Sequence, residues 1–320
     1  MYVYGLNTVL DQTVPLYQLL VKAIKDKGLD RARIAAEIGP NDRMAASAYL
    51  YEGLKENLPN VEFISCYETV SKVRAVKSDL EVECIRRACD ITCKGFEAGM
   101  NQLRAGMTEK ELTHVIVSKM LEHNPEGIAA HPWSIFLTTS GRSPVLFDAP
   151  ASDYTFKSGD TVWIDGGAIY KGYWCDMLRC ASIGDPSDDV LRFYEVSRKG
   201  NEACMDMIKP GVRFSDLWRR FVEVCEDMGF AAEIQNSIDH GYSFLGHSIG
   251  LSPHEQPFIN ATTDGLIKQN MTLSIEGCVP DVLPWSNTKI AMKSEDNFRV
   301  TETGIELFTN LDRDLWVTAD

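Results

Sequence analysis

Five residues in the second half of the chain, Asp165, Asp176, His247, Glu276 and Glu295, offer four carboxylates and one imidazole, each in its own local motif. Oxygen donors with a single ring nitrogen suit a pair of hard-to-borderline divalent ions, and such a pair activates water for hydrolysis. The company these acids keep supports that chemistry. WIDGG sets Asp165 in a strand otherwise built for burial, GYWCDMLR does the same for Asp176, and the apolar run MTLSIE ends on Glu276. A buried carboxylate is costly unless it is paired, hydrogen-bonded or metal-bound. For Asp165 and Asp176 alone, strand-end acids held by lysine, arginine or backbone donors would explain the pattern as well. His247 lies in LGHSIGLSPHE, where small residues permit close backbone approach, although a lone loop histidine is more often a surface residue. His254 and Glu255 follow it, but HxxxxxxHE is not HExxH, which excludes two histidines one helical turn apart. Glu295, next to Asp296 in AMKSEDNFRV, reads by itself as a solvated surface acid. Only the ordered set of five gives two metals enough ligands.

The elements that must carry these residues fall into two stretches. Over 1–75 short elements alternate: a periodic stretch near 15–28, the strand RIAAEIG at 33–39, a helix over 43–56 and the strand VEFISC at 61–66. This is a small α/β unit with no GxGxxG or Walker loop. From Lys77 the character changes. Ser78 with Glu81 three residues on, and Thr108 with Glu111, are capping-box signatures for two amphipathic helices. Strands follow: HPWSIFLTTS, then DTVWIDGGAIYKGYWCDMLRCASIG, read as two antiparallel arms around a turn near Lys171 and Gly172. Two helices over 187–208 and 214–228, the second with Ser215 and Asp216 as capping candidates, precede a strand-rich remainder from about 242 to 310.

The totals bound the partners. With 46 acids against 32 bases the net charge of −14 argues against nucleic acid or an anionic membrane as the main partner. No stretch approaches the roughly 20 apolar residues of a membrane helix, and MYVYGLNTVLDQ lacks the features of a secretory signal. The nine cysteines form no CxxC pair and read as free thiols, so the expected compartment is the cytoplasm.

The segments DGGAIYKGYWCDMLR, GHSIGLSPHEQP, LSIEG and SEDNFRVTETGIELFT resemble the successive metal-site segments of the pita-bread (M24) metallopeptidases, which include methionine aminopeptidase, aminopeptidase P, prolidase and creatinase. The resemblance implies an α/β fold: a pita-bread catalytic domain over 76–320, preceded over 1–75 by a small, truncated α/β N-terminal domain of the prolidase and creatinase branch. It implies two divalent ions, manganese, iron, cobalt or zinc, with Asp165 on one, His247 and Glu276 on the other, and Asp176 and Glu295 bridging. Glu276 would also move a proton between the attacking water and the leaving group, and His254 would contact substrate. The implied activity is Xaa-Pro peptidase-like cleavage of a peptide or amide bond. A hydrolase or lyase of a small non-peptide metabolite is the alternative, and an inactive metal-binding protein the third reading. A shortened N-terminal domain implies a homodimer, in which a second subunit closes the site. The departures concern substrate. TTSGRSPVLFDAP has no histidine after its SG turn, with Phe147 or Asp148 near that place and His131 as a possible substitute. Ser248 replaces a usual glycine, Lys293 a usual arginine, and Cys180 a usual threonine after Arg179.

Overall fold

The computed structural model describes residues 16–38, 47–124, 135–142, 149–283 and 288–318. His131, Phe147 and Asp148 lie outside them. The chain divides into two compact units, Met1–Val73 and Arg74–Asp320.

In the first unit, α1 (Leu16–Asp26), β1 (Arg33–Ala36), α2 (Ala48–Asn57) and β2 (Glu62–Ser65) follow the sequence pattern. The strands pair in parallel, Arg33 opposite Glu62, which requires the α2 crossover between them. Ser47 caps α2, and Val21, Leu54 and Leu58 form the small core. A third helix, α3 (Tyr67–Ala75), was not anticipated and runs across the boundary between the units.

In the second unit both expected capping boxes form, starting α4 (Asp79–Gln102) and α5 (Glu109–His123). Each satisfies two orphan donors of the first turn reciprocally. Two further helices, α6 (Asp188–Met207) and α7 (Phe214–Asp227), match expectation in place but not in every cap. Ser215 and Asp216 sit inside the first turn of α7, and Arg213 occupies the cap position without a side-chain hydrogen bond. Burial of Phe214, Leu217, Trp218 and Phe221 anchors this helix instead. The short α8 (Ala231–Asp239) went unread between 228 and 242.

Two sheets carry the site. One has the order β15-β7-β4-β3, built from β3 (Ile135–Thr139), β4 (Thr161–Gly166), β7 (Met177–Ile183) and β15 (Trp316–Thr318). The other has the order β14-β13-β10-β8-β9, built from β8 (Phe244–Ser248), β9 (Glu255–Asn260), β10 (Thr272–Ile275), β13 (Asp296–Val300) and β14 (Ile305–Leu307), while β11 (Val279–Pro280) and β12 (Ala291–Met292) pair with each other. Helices α4 and α5 cover the first sheet through Ile85, Phe96, Leu112 and Ile116, which pack with Leu137, Val162 and Ile164. Helices α6 and α7 cover the second through Val196, Leu217 and Phe221, which pack with Leu245, Leu273 and Phe298. Each helix pair faces a sheet whose central strands are buried, so the mixed α/β pita-bread architecture follows from two half-cores side by side. The sheets meet where Glu295, just before β13, bridges Leu178 of β7, its N–H donating to the Leu178 carbonyl at 3.0 Å. Among the described residues no helix is long and apolar enough to cross a membrane. All nine cysteines are free.

Candidate metal centre

All five candidate ligands converge on the junction of the two sheets. Asp165 lies in β4, opposite Leu178. Asp176 precedes β7, after the ribbon of β5 (Ile169–Tyr170) and β6 (Tyr173–Trp174) reverses at Lys171 and Gly172, as the sequence foretold, with φ of 50° and 88°. Its backbone is clamped by Asn297, whose Oδ1 accepts from the Asp176 N–H at 2.9 Å while Nδ2 donates to the Asp176 carbonyl at 2.5 Å. His247 is fully buried in β8, and Glu276 directly follows β10 with its N–H bonded to the Leu245 carbonyl. Gly246 makes this packing possible, since a Cβ there would sit 2.1 Å from the Ser274 carbonyl oxygen. Glu295 receives a hydrogen bond from Ser274 Oγ at 2.7 Å.

The donor atoms form overlapping groups within 4.8 Å: His247 with Glu276 and Glu295; Asp165 with Asp176 and Glu295; and Asp176 with His247 and His254. Glu295 belongs to two of them, and Asp176 reaches from the Asp165 side to the histidines. His247 Nε2 lies 3.0 Å from Glu276 Oε1, 3.7 Å from Glu295 Oε1 and 3.9 Å from Asp176 Oδ2. His254, half exposed, brings its Nε2 to 3.4 Å from Asp176 Oδ2 and packs edge-on against the His247 ring at 4.4 Å.

Two buried atoms show that this donor set fits a cation. His247 Nε2 and Glu276 Oε1 are turned toward each other at 3.0 Å amid the carboxylates, without a well-formed hydrogen bond to any group among the described residues. The other ring nitrogen, Nδ1, lies 3.1 Å from the Ser248 carbonyl, a contact that places a proton on Nδ1 and leaves Nε2 as the atom that would give up its proton to bind an ion. Metal-ligating histidines are oriented in this way. Electrostatics agree. Burial, reinforced by Glu295, pushes Asp176 well above the ordinary carboxylate range, and burial with the charge of Glu276 raises Glu295. Burial opposes charge on His247 as well, yet hydrogen bonding to Glu276 and Glu295 and the charges of Glu276 and Asp176 hold its imidazole well above the usual value. Glu276 stays ionised because Lys293 and His247 overcome its burial. The cluster therefore holds protons where a divalent ion would replace them.

A cavity of about 570 Å³ opens onto these residues. Its walls include Phe136, Trp163, Trp174, Tyr242 and Phe244, and Cys278 lies among them. Burial pushes the Cys278 thiol up to about 12, so it is not a nucleophile near neutral pH.

Residues 83–302 match the model of metallopeptidase family M24. The chain belongs to this family. Among curated M24 relatives, the "Xaa-Pro dipeptidase" of Pyrococcus furiosus is 27% identical over 266 residues, covering 83% of this chain and 72% of the relative. The "putative dipeptidase YkvY" of Bacillus subtilis is also 27% identical, covering 93% and 77%. Among solved structures, the X-Pro aminopeptidase from Thermotoga maritima superposes with a TM-score of 0.75 at 26% identity, covering 96% of this chain and 81% of its own. Family membership and the metal-ligand clusters together make the chain an M24-type metallohydrolase, consistent with a dinuclear site.

One local reading needs correction and one group was missed. Glu295 and Asp296 are almost fully buried, not solvated. The buried Arg179 explains this: it donates to Asp296 Oδ1 at 2.7 Å and to the carbonyls of Glu295, Leu178, Leu311 and Asp312. Arg313 adds a second cation to Asp296 at 2.5 Å. In an extended segment neighbouring residues face opposite sides, so the pair Glu295-Asp296 carries its own signal of one acid for the site and one for its support. Lys293 is also engaged, 2.5 Å from Glu276 Oε2 and over the Trp163 ring.

Proposed function

We propose that the protein hydrolyses a peptide or amide bond beside proline or a similarly compact group, with Asp165 on one divalent ion, His247 and Glu276 on the other, and Asp176 and Glu295 shared. When bound, such ions lower the pKa of water and polarise the carbonyl under attack. Glu276 has one oxygen held by Lys293 and the other facing the cluster, which suits it to carry a proton from the attacking water to the leaving nitrogen. His254 stands at the cavity with its ring buttressed by His247, placed to donate to an oxyanion. The aromatic walls accept an apolar ring and exclude water from it.

The observation that carries this reading is the buried pair of ligand atoms His247 Nε2 and Glu276 Oε1, 3.0 Å apart and turned to the same space among the carboxylates. The names of the M24 relatives support proline-directed substrates. The test is a screen of protein reconstituted with manganese, iron, cobalt or zinc on Xaa-Pro dipeptides, small amides, N-acyl amino acids and betaine-like compounds. Turnover of Xaa-Pro peptides is the expected result, and metal-dependent turnover confined to the other compounds would refute it. One observation favours that second outcome: Lys293 is already paired with Glu276, so it is not available to grip a substrate carboxylate. The reading further places residues 1–75 as a partial N-terminal domain, 76–320 as the catalytic domain, and the protein as a cytoplasmic homodimer. A monomer by light scattering at micromolar concentration contradicts the dimer.

A further inference from the structure

The two residues that follow the histidines point away from the cluster, and both are held by cations from the α3–α4 junction. Ser248 pairs with Glu255 across β8 and β9, next to an irregularity in register after His247. Lys77 Nζ, almost fully buried, lies 3.0 Å from Ser248 Oγ and 3.4 Å from Glu255 Oε2, and so ties the two strands from behind. The Arg74 guanidinium pairs with Glu255 Oε1. That oxygen also accepts from the Ser252 N–H at 3.1 Å, inside the short loop that presents His254. Gly250 completes the fit, because a Cβ there would meet Glu255 Oε2 at 2.8 Å. Lys77 is itself fixed, its N–H bonded to the Asn270 carbonyl at 2.9 Å.

We infer that Arg74 and Lys77 are positioning residues, which set the place of His254 over the metal cluster by clamping Ser248 and Glu255. The inference rests on the role given to His254 above. The consequence is geometric. His254 is half exposed, and its ring is placed by the loop that Glu255 anchors, so releasing Glu255 frees the ring while the ligands His247 and Glu276 keep their strand hydrogen bonds. Displacement of a catalytic group by about 1 Å costs on the order of 100-fold in rate.

Lys77→Met, Lys77→Arg and Arg74→Met test this, each alone and each combined with His254→Ala. The direct readout needs no substrate. In ¹⁵N-histidine spectra of the metal-free protein, the His254 ring signal, assigned with His254→Gln, shifts and broadens in Lys77→Met and in Arg74→Met. It recovers in Lys77→Arg, and the His247 signal stays in place. With an alanyl-proline dipeptide and reconstituted protein, Lys77→Met lowers kcat by about 100-fold at unchanged metal content, and adding His254→Ala lowers it no further. An unmoved His254 signal in both single variants overturns the clamp, as does an equal shift of His247 with loss of metal. Should Lys77→Met fail to fold, Arg74→Met carries the same test, since Arg74 is partly exposed and pairs with the Glu255 oxygen that anchors the loop. If His254→Ala leaves turnover intact, the role of His254 falls, and the ring signals still decide the clamp.

Discussion

Arg179→Met is the sharpest test of how the site is held together. Arg179 is 1% exposed, lies 2.7 Å from the equally buried Asp296, and makes five hydrogen bonds, of which those to the Glu295 carbonyl and to Asp296 join β7 to the segment carrying Glu295. Removing one partner of a buried ion pair costs roughly 3–5 kcal/mol, because the other charge remains in low dielectric. Asp296 keeps Arg313 and Thr309, so the ionic loss lies at the lower end, about 3 kcal/mol. For a unit of this size that is a fall in melting temperature of roughly 6–12 °C. Arg179→Lys should fall between, since lysine keeps the charge but lacks the planar fork. Calorimetry of the metal-free protein gives the number, and titration with manganese gives the functional part: the Glu295 carbonyl loses its anchor, and affinity drops with it. A variant that melts within about 2 °C of the parent and binds metal as well would refute the view that this guanidinium holds the site.

Proton linkage supplies a second prediction. Asp176 and Glu295 are raised in the folded, metal-free protein, so their contribution to stability is fully present below the unfolded carboxylate values and is lost as pH rises through the folded ones. Glu276 and Asp296, held low, act in the opposite sense only below the unfolded carboxylate values, so from about pH 5 toward neutral the metal-free protein should lose stability. Metal addition in weak buffer should release protons and flatten that slope, and metal uptake without proton release would contradict it. Cys278→Ser should retain kcat/KM within about threefold, because a thiol held near 12 takes no part; loss of turnover with metal retained would revive a covalent route. Gly246→Ala forces a methyl group onto the Ser274 carbonyl and should cost about 1–3 kcal/mol together with metal affinity, read by calorimetry and elemental analysis. Normal values for both would show that β8 and β10 have room to part.

The sequence was most legible where structure is local. The capping boxes at Ser78 and Thr108 and the reversal at Lys171 and Gly172 depend on residues within three positions of each other, and all three formed. Asp165, Asp176 and Glu276 were conspicuous because an acid interrupts an apolar strand. Glu295 was harder, since the cation that buries its neighbour Asp296 comes from 117 residues away and polar AMKSEDNFRV gives no hint of it. Helix α7 began without the expected side-chain cap because its apolar face outweighs the cap. The clamp on Glu255 was invisible for the same reason as the Arg179 pair: Arg74 and Glu255 are 181 residues apart.

The bridge between Leu178 and Glu295 also has a mechanical side. Asp165 and Asp176 lie in or beside strands of the sheet of β4 and β7, whereas His247, Glu276 and Glu295 lie in or beside strands of the sheet of β8, β10 and β13. Ions gripped by both sets would act as rivets through the joint, so their binding energy becomes cohesion between the two halves of the fold. Loss of metal would then be felt first as faster hydrogen exchange at the Glu295 amide, with the outer helices still protected.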